Sequence, residues 1–298
     1  MTAITKRAAP YDVRRLDTNP IIYPEMDDRM GRNINGPSLI RVPNWVPNPL
    51  GKYYLYFAHH KGTYIRLAYA DQLAGPWHTH EPGTLDLSET PFAHHVASPD
   101  VHVDHEQRRI RMYCHGPVPE LRRQRSAVAL SKDGLHFTCM DEILGAAYFR
   151  VFQWRGTTYA LGMPGIFYRS ADGLTNFEEG PQFWTRDMRH AAVMVEGDTL
   201  TVFFSNAHDC PEHILMSTIA LTPDWTQWEP TAPVTVVKPE MDYEGANLPL
   251  VASERGWAPQ CVRQLRDPAV YREDGRVYLL YSVAGENGIA IAELIKST

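Results

Sequence analysis

Three observations predict an all-β fold, specifically a five-bladed β-propeller. Short apolar segments with a two-residue alternation run along the whole chain, bounded by turn residues, and helical spacing over eleven or more residues is hard to find. The 23 Pro and 20 Gly are spread along the chain and do not gather into a linker. The segments also fall into five similar units, which is the pattern of a repeat architecture.

The first unit opens with "GPSLIRV" (Gly36 to Val42), followed by "KYYLYFAHH" and "YIRLAYA". The second opens with "SPDVHVD" (Ser98 to Asp104), followed by "RIRMYCHG" and "SAVALSKDG". "YFRVFQW" (Tyr148 to Trp154) opens the third, before "TTYALG" and "GIFYRSADG". "RHAAVMVEGD" (Arg189 to Asp198) opens the fourth, before "TLTVFFS" and "HILMSTIA". "RDPAVYREDG" (Arg266 to Gly275) opens the fifth, before "RVYLLYS" and "GIAIAEL".

Each unit reads as three strands plus a weaker fourth, at a spacing of about 40 to 60 residues, within the blade length of propellers. "DGL" followed by Phe recurs at Asp133–Phe137 and Asp172–Phe177, and "GPW" (Gly75–Trp77) and "DWTQW" (Asp224–Trp228) fill the same slot. The blades are expected at about 35–87, 97–140, 147–185, 189–230 and 240–294, within one domain spanning 1–298. The same strands could build a pair of β-sandwiches, but the repeat order favours the propeller.

Composition narrows the function. The net charge is −6 and only Arg122, Arg123 and Arg125 form a basic cluster, so no nucleic-acid partner is expected. No apolar stretch approaches the roughly 18 residues of a membrane span, and the first fifteen residues lack an apolar signal core. Cys114, Cys139, Cys210 and Cys261 lie far apart with no C-x-x-C pair, which argues against structural zinc. A cytoplasmic protein with free thiols is the expectation. No cofactor motif is found, since "NINGPS" and "VAGENG" lack the strand–loop–helix context of a phosphate loop. A metal is not expected, although a structural ion in the central channel is compatible with the fold. Homo-oligomerisation is left open.

In a propeller the residues that open each inner strand converge on the central channel. This gathers Asn35, Asp100, Arg150, His190 and Asp267 into one expected pocket, each with an error of about two residues. Asp100 and Asp267 each lie beside a Pro, in "SPDV" and "RDPA". Either could merely shape a turn, and both are assigned to catalysis. Glu244, in the loop "MDYEGANLP", has no helix to cap, and a half-buried carboxyl there could protonate a leaving group. A solvated surface acid is its competing role.

Several His lie near inner-strand ends. His190 is assigned to catalysis, with His60 and His95 lining the pocket. Arg150, Arg189 and Arg266 open units three to five and fit carboxylates or vicinal hydroxyls, so the ligand could be anionic. Salt bridges between blades are their competing role. Among Trp45, Trp154, Trp184 and Trp257, most are expected in blade cores, and Trp154 is assigned to a sugar platform. Asn35 completes the expected substrate-binding set.

The units "SPDVHV" and "RDPAVY", the blade "YYLYFAHH…YIRLAYADQLAGPW" and the loop "YEGA" resemble the five-bladed propeller glycosidases of glycoside hydrolase families 43 and 117. The resemblance covers nearly the whole chain as a blade pattern. It implies a first-blade Asp as general base, a second-blade Asp that tunes it, and a Glu or His as acid. Asp100 would be the second-blade Asp, and Glu244-Gly245-Ala246 the acid motif. Asn35-Gly36-Pro37 stands where the base is expected. Asn cannot serve, so that role would pass to Asp267, Asp100, or an upstream acid such as Asp27 or Asp28.

The leading expectation is a glycoside hydrolase that acts on an oligosaccharide with a carboxylate pair in the central pocket. An inverting enzyme needs those carboxyls roughly 6.5–9.5 Å apart. Two alternatives remain open. One is a polysaccharide lyase using His, Tyr and Arg on a uronate-containing sugar. The other is a saccharide-binding propeller without catalysis.

Overall fold

Strands buried on both faces demand neighbours on both sides, and a closed ring of sheets supplies them. All six residues of Tyr53–Ala58 are buried, as are nearly all of Asn35–Arg41 and Ile289–Lys296. The computed structural model, which describes residues 10–297, is a five-bladed β-propeller of antiparallel sheets. Residues 1–9 and 298 of the expected 1–298 span lie outside the described residues.

From the axis outward, blade one is Asn35–Arg41, Tyr53–Ala58, Tyr64–Ala70 and His78–Asp86. Blade two is Ala97–Asp104, Arg109–Val118 and Arg123–Ser131, edged by the short strands Thr138–Cys139 and Gly145–Ala146. Blade three is Arg150–Trp154, Thr157–Gly162, Ile166–Ser170 and Glu178–Gln182. Blade four is Met188–Glu196, Thr199–Asn206, Ile214–Ala220 and Val234–Val237.

Blade five has two origins. Arg266–Glu273, Arg276–Ser282 and Ile289–Lys296 come from the C-terminal part, and its outer strand is the N-terminal Tyr11–Arg15. The fifth inner strand begins at Arg266, where its unit opens, and the blade's strands do not include the stretch from 240 to 265. Residues 238–265 form a long connection that contains only the single turn Asp242–Glu244.

Five apolar clusters fill the five seams between blades. Ile40, Tyr56, Val101 and Met112 join blades one and two, and Tyr113, Val128, Phe149 and Val151 join two and three. Phe152, Phe167, Val202 and Phe204 join three and four, and Phe203, Met216, Leu279 and Ile214 join four and five. Leu39, Leu55, Leu280 and Ile291 close the ring between five and one. Alternate residues of one strand thus enter different seams, as the two-sided period of a strand requires. The alternation read in the sequence therefore sorts residues between two seams, and not between core and solvent. Among the described residues, no helix is long and apolar enough to cross a membrane.

Candidate active site

Each blade opens with one residue in the left-handed region: Gly36 (φ 61°), Ser98 (50°), Tyr148 (67°), His190 (44°) and Asp267 (48°). In blades one, two, four and five the pairing with the second strand also slips here. Such bulges re-aim side chains. Gly36 is the glycine of the set because a Cβ there would lie 2.9 Å from Ser98 Cα. The other four are not glycine, and each costs about 1–2 kcal/mol in this conformation. Strain of this kind clusters at functional sites. All four line one cavity of about 230 Å³ on the channel axis, together with Asn35, His60, His95, His115, Arg189 and Glu286.

Asp267 lies at the centre of this site. Tyr148 donates its hydroxyl to Asp267 Oδ1 at 2.5 Å, and His190 Nδ1 lies 3.4 Å from the same oxygen. The Tyr148 and His190 rings stack with centroids 5.1 Å apart. Asp267 Oδ2, His190 Nδ1 and His115 Nδ1 are buried without a hydrogen-bond partner. Burial, then the nearby Glu286 charge, pushes the Asp267 carboxyl up to about 6 from its usual 3.8, against the pull of Tyr148, Arg189 and Arg266. Burial, with the arginines nearby, holds His190 well below the ordinary imidazole value, and burial takes His115 down to about 3. His60 and His95 are lowered as well, first by burial. The imidazoles of this wall are therefore neutral at pH 7.

Glu286 is held as an acceptor. It takes hydrogen bonds from Arg266 Nη1 at 3.0 Å, Asn33 Nδ2 at 2.5 Å and Asn35 Nδ2 at 3.2 Å, and His60 Nδ1 lies 3.8 Å away. Glu212, fully buried, sits between Arg266 Nε at 3.2 Å and Arg189 Nε at 3.6 Å. Both arginines also donate to the Gly256 carbonyl, so the 238–265 connection is fastened over the mouth of the cavity. One carboxyl with a raised pKa beside one anchored carboxylate is the arrangement that divides acid from base roles.

The fold brings Asp267, His190, Asn35, His60, His95 and Arg189 together at this cavity, with Arg266 behind its wall. Asp100 is not among them. It lies two residues deeper and faces a separate cavity of about 410 Å³ at the other end of the axis. Its carboxylate accepts His102 Nε2 at 2.8 Å and the Val151 N–H at 2.7 Å. Burial works to raise it, but His102, Arg150 and the Val151 N–H together hold it below the ordinary value. Arg150 is likewise displaced. Its guanidinium stacks over Tyr148 at 4.4 Å and donates to the carbonyls of Pro99 at 3.0 Å and Ala191 at 2.8 Å, which plugs the axis between the two cavities.

Glu244 is a structural clamp. Fully buried, it binds Arg15 Nε at 2.7 Å, the Tyr281 hydroxyl at 2.8 Å and the N–H groups of Glu240 and Met241, so it fastens the N-terminal strand to blade five. Trp154 packs in the seam of blades three and four, with its Nε1 on Asp198 at 2.9 Å, away from the central cavity. Asp27 pairs with Arg29 and lies outside the cavity as well.

Sequence reasoning passed over Tyr148, Glu212 and Glu286, and gave His115, one of the His near strand ends, no role. Aligning the units column by column reveals Tyr148, since "GPS", "SPD", "YFR", "HAA" and "DPA" put Gly36, Ser98, Tyr148, His190 and Asp267 in one column. Asp100 and Arg150 fall two columns later. Glu286 and Glu212 come from connections that carry no repeat signal.

No protein-family model matches the chain. The "Uncharacterized protein R118" of Acanthamoeba polyphaga mimivirus is 38% identical over 325 aligned positions, covering 95% of this chain and 90% of that protein. Among solved structures, a glycosyl hydrolase from Bacteroides ovatus superposes with a TM-score of 0.67 at 13% identity, over 96% of this chain and 94% of that one. A structure from the GH130 family of mannoside phosphorylases, described as containing glycoside hydrolases that target β-1,2 mannosidic linkages, gives 0.65 at 12% identity, over 97% and 95%. The GH43 β-xylosidase/α-arabinofuranosidase CoXyl43 from a compost metagenome, in complex with xylotriose, gives 0.61 at 14% identity, over 95% of each chain. At these identities the likeness is one of fold.

Proposed function

The chain belongs to the family of the mimivirus protein R118, and we propose that it is a glycosidase in which Asp267 is the general acid and Glu286 its ionised partner. The observation that carries this reading is Asp267 itself. It is a buried carboxyl with a pKa near 6, left-handed at the opening of an inner strand, lining the cavity and with one oxygen unpartnered. A carboxyl of that acidity keeps a substantial protonated fraction close to neutral pH and gives its proton to the departing glycosidic oxygen. The Glu286 carboxylate supplies the fixed negative charge that an oxocarbenium-like transition state requires. Neutral His60, His95 and His115 have ring nitrogens suited to sugar hydroxyls, and Arg189 suits vicinal hydroxyls or a carboxylate. The fold shared with glycoside hydrolases supports the reaction class by analogy only.

The test is a digest of plant, algal and fungal oligosaccharides, with wild type beside Asp267→Asn, read by mass spectrometry. Products that gain the mass of water and vanish in the variant support the glycosidase. The Tyr148 hydroxyl, neutral His190 and Arg189 in one cavity would also suit β-elimination from a uronate. Products without added water and with an unsaturated end would replace hydrolysis by that chemistry.

A further inference from the structure

We propose that this enzyme trims sugars one at a time from a chain end, with Trp257 as the platform for the sugar that leaves. The inference rests on the glycosidase reading and names its substrate geometry. Pockets for drug-sized ligands run to about 300–1,000 Å³, and a cavity of about 230 Å³ is the size for a single sugar ring. The cavity is also blind. It shares no lining residue with the cavity at the far end of the axis, and Arg150 crosses between them, fastened to carbonyls of blades two and four. A polysaccharide cannot thread past that plug, and a ring in so small a cavity has one mouth for its linkages, which fits a terminal residue at Asp267.

The next sugar must then lie at the mouth. Arg255 and Gly256 line the cavity, and Trp257 is the next residue of the chain. Its indole is 38% exposed, although a ring of that size is ordinarily covered. Lys61 holds it in place, with Nζ 4.6 Å from the ring centroid, and Lys61 follows His60 of the cavity wall. A loop of blade one and the connection before blade five thus present a braced aromatic face beside the cavity. Such a face offers an apolar ring surface to a sugar, with Lys61 beside it as a donor to hydroxyls.

The experiment uses tetrasaccharides of β-1,4-xylan, α-1,5-arabinan and β-1,2-mannan, tagged at the reducing end with 2-aminobenzamide. Labelled products are followed over time by mass spectrometry. The expected first labelled product is the trisaccharide, released together with one free monosaccharide. A labelled disaccharide appearing first means an interior cut, which overturns the chain-end inference and leaves the glycosidase reading intact. If none of the three is cleaved, the labelled assay moves to whichever oligosaccharide of the wider panel is cut; if the whole panel is untouched, the glycosidase reading falls and this inference falls with it. For the platform, Trp257→Ala is expected to raise KM for the cleaved chain roughly tenfold, with kcat within about twofold, and Trp257→Phe to restore most of the loss. Unchanged KM in Trp257→Ala removes Trp257 from the account.

Discussion

Tyr148 donates to Asp267 Oδ1 at 2.5 Å across 119 residues of sequence. Ring closure makes this contact, because blades three and five meet across the axis only when all five sheets are in place. The bond favours the ionised carboxylate, while burial and Glu286 favour the protonated acid. The acidity of Asp267 is the balance of the two.

Removing the donor tips that balance. Tyr148→Phe is expected to raise the Asp267 pKa above its present value of about 6. An acid must be protonated to act, so the alkaline limb of the pH–rate profile should move to higher pH as the maximal rate falls. Titration of labelled Asp carboxyl carbons by NMR, with Asp267→Asn for assignment, reads the same shift without substrate. A limb that stays in place would contradict the coupling.

Asp267 weakens the fold at neutral pH. Its folded value of about 6 lies above the unfolded 3.8, so the native state binds the proton more tightly between those pH values. Its contribution to stability is most favourable below pH 3.8 and declines as pH rises through 6. Asp267→Asn should therefore stabilise the protein at pH 7.5, by on the order of 1–3 kcal/mol, while abolishing turnover. Denaturant midpoints at pH 7.5 and 4.0 check this, and the gain should shrink at the lower pH.

The buried imidazoles act in the opposite sense. His115, at about 3, and His190, well below 6.5, stay neutral in the fold and charge readily in the unfolded chain. Their contribution is present above pH 6.5 and is lost as pH falls from 6.5 toward 3, at up to about 1.4 kcal/mol per pH unit for each proton. Two such groups outweigh Asp267, so urea stability should fall between pH 6.5 and 4. A flat profile across that window would mean that these rings are solvated.

Two buried acids outside the reacting pair should separate stability from chemistry. Glu212→Gln leaves Arg189 and Arg266 short of their shared partner, and Glu244→Gln does the same to Arg15. Each should cost about 3–5 kcal/mol of stability, as removing one member of a buried ion pair does. Glu244→Gln should keep kcat near wild type below its melting temperature. Glu212→Gln should also alter the pH–rate profile, because Arg189 and Arg266 bear on Asp267. Thermal melts beside pH profiles distinguish the two.

The propeller was readable because five units repeat the same order of strands and turns. The depth of each residue along the channel was harder to read. "SPDV" and "RDPA" both set an Asp beside a Pro, yet Asp100 follows its Pro and Asp267 precedes it. That offset of two residues is about 6–7 Å along a strand. It carries Asp100 past the plug into the other cavity, and the same offset separates Arg150 from Tyr148. Glu244 misled for another reason. Its partner Arg15 lies 229 residues away, and the N-terminal strand that brings it there has no signal in the loop "MDYEGA". Glu286, between two strands of blade five, occupies a connection that the repeat does not constrain.

The central claim is that the reacting carboxyl is Asp267 and neither Asp100 nor Glu244. The most direct measurement compares turnover of one cleaved oligosaccharide by wild type, Asp267→Asn, Asp100→Asn and Glu244→Gln, at a temperature where all four are folded. The account predicts a loss of at least about a hundredfold in kcat for Asp267→Asn, the low end for a general acid, and rates within about tenfold of wild type for the other two. Full activity in Asp267→Asn, with loss in Asp100→Asn or Glu244→Gln, would move the chemistry to the other end of the channel or to the blade-five clamp and contradict the account.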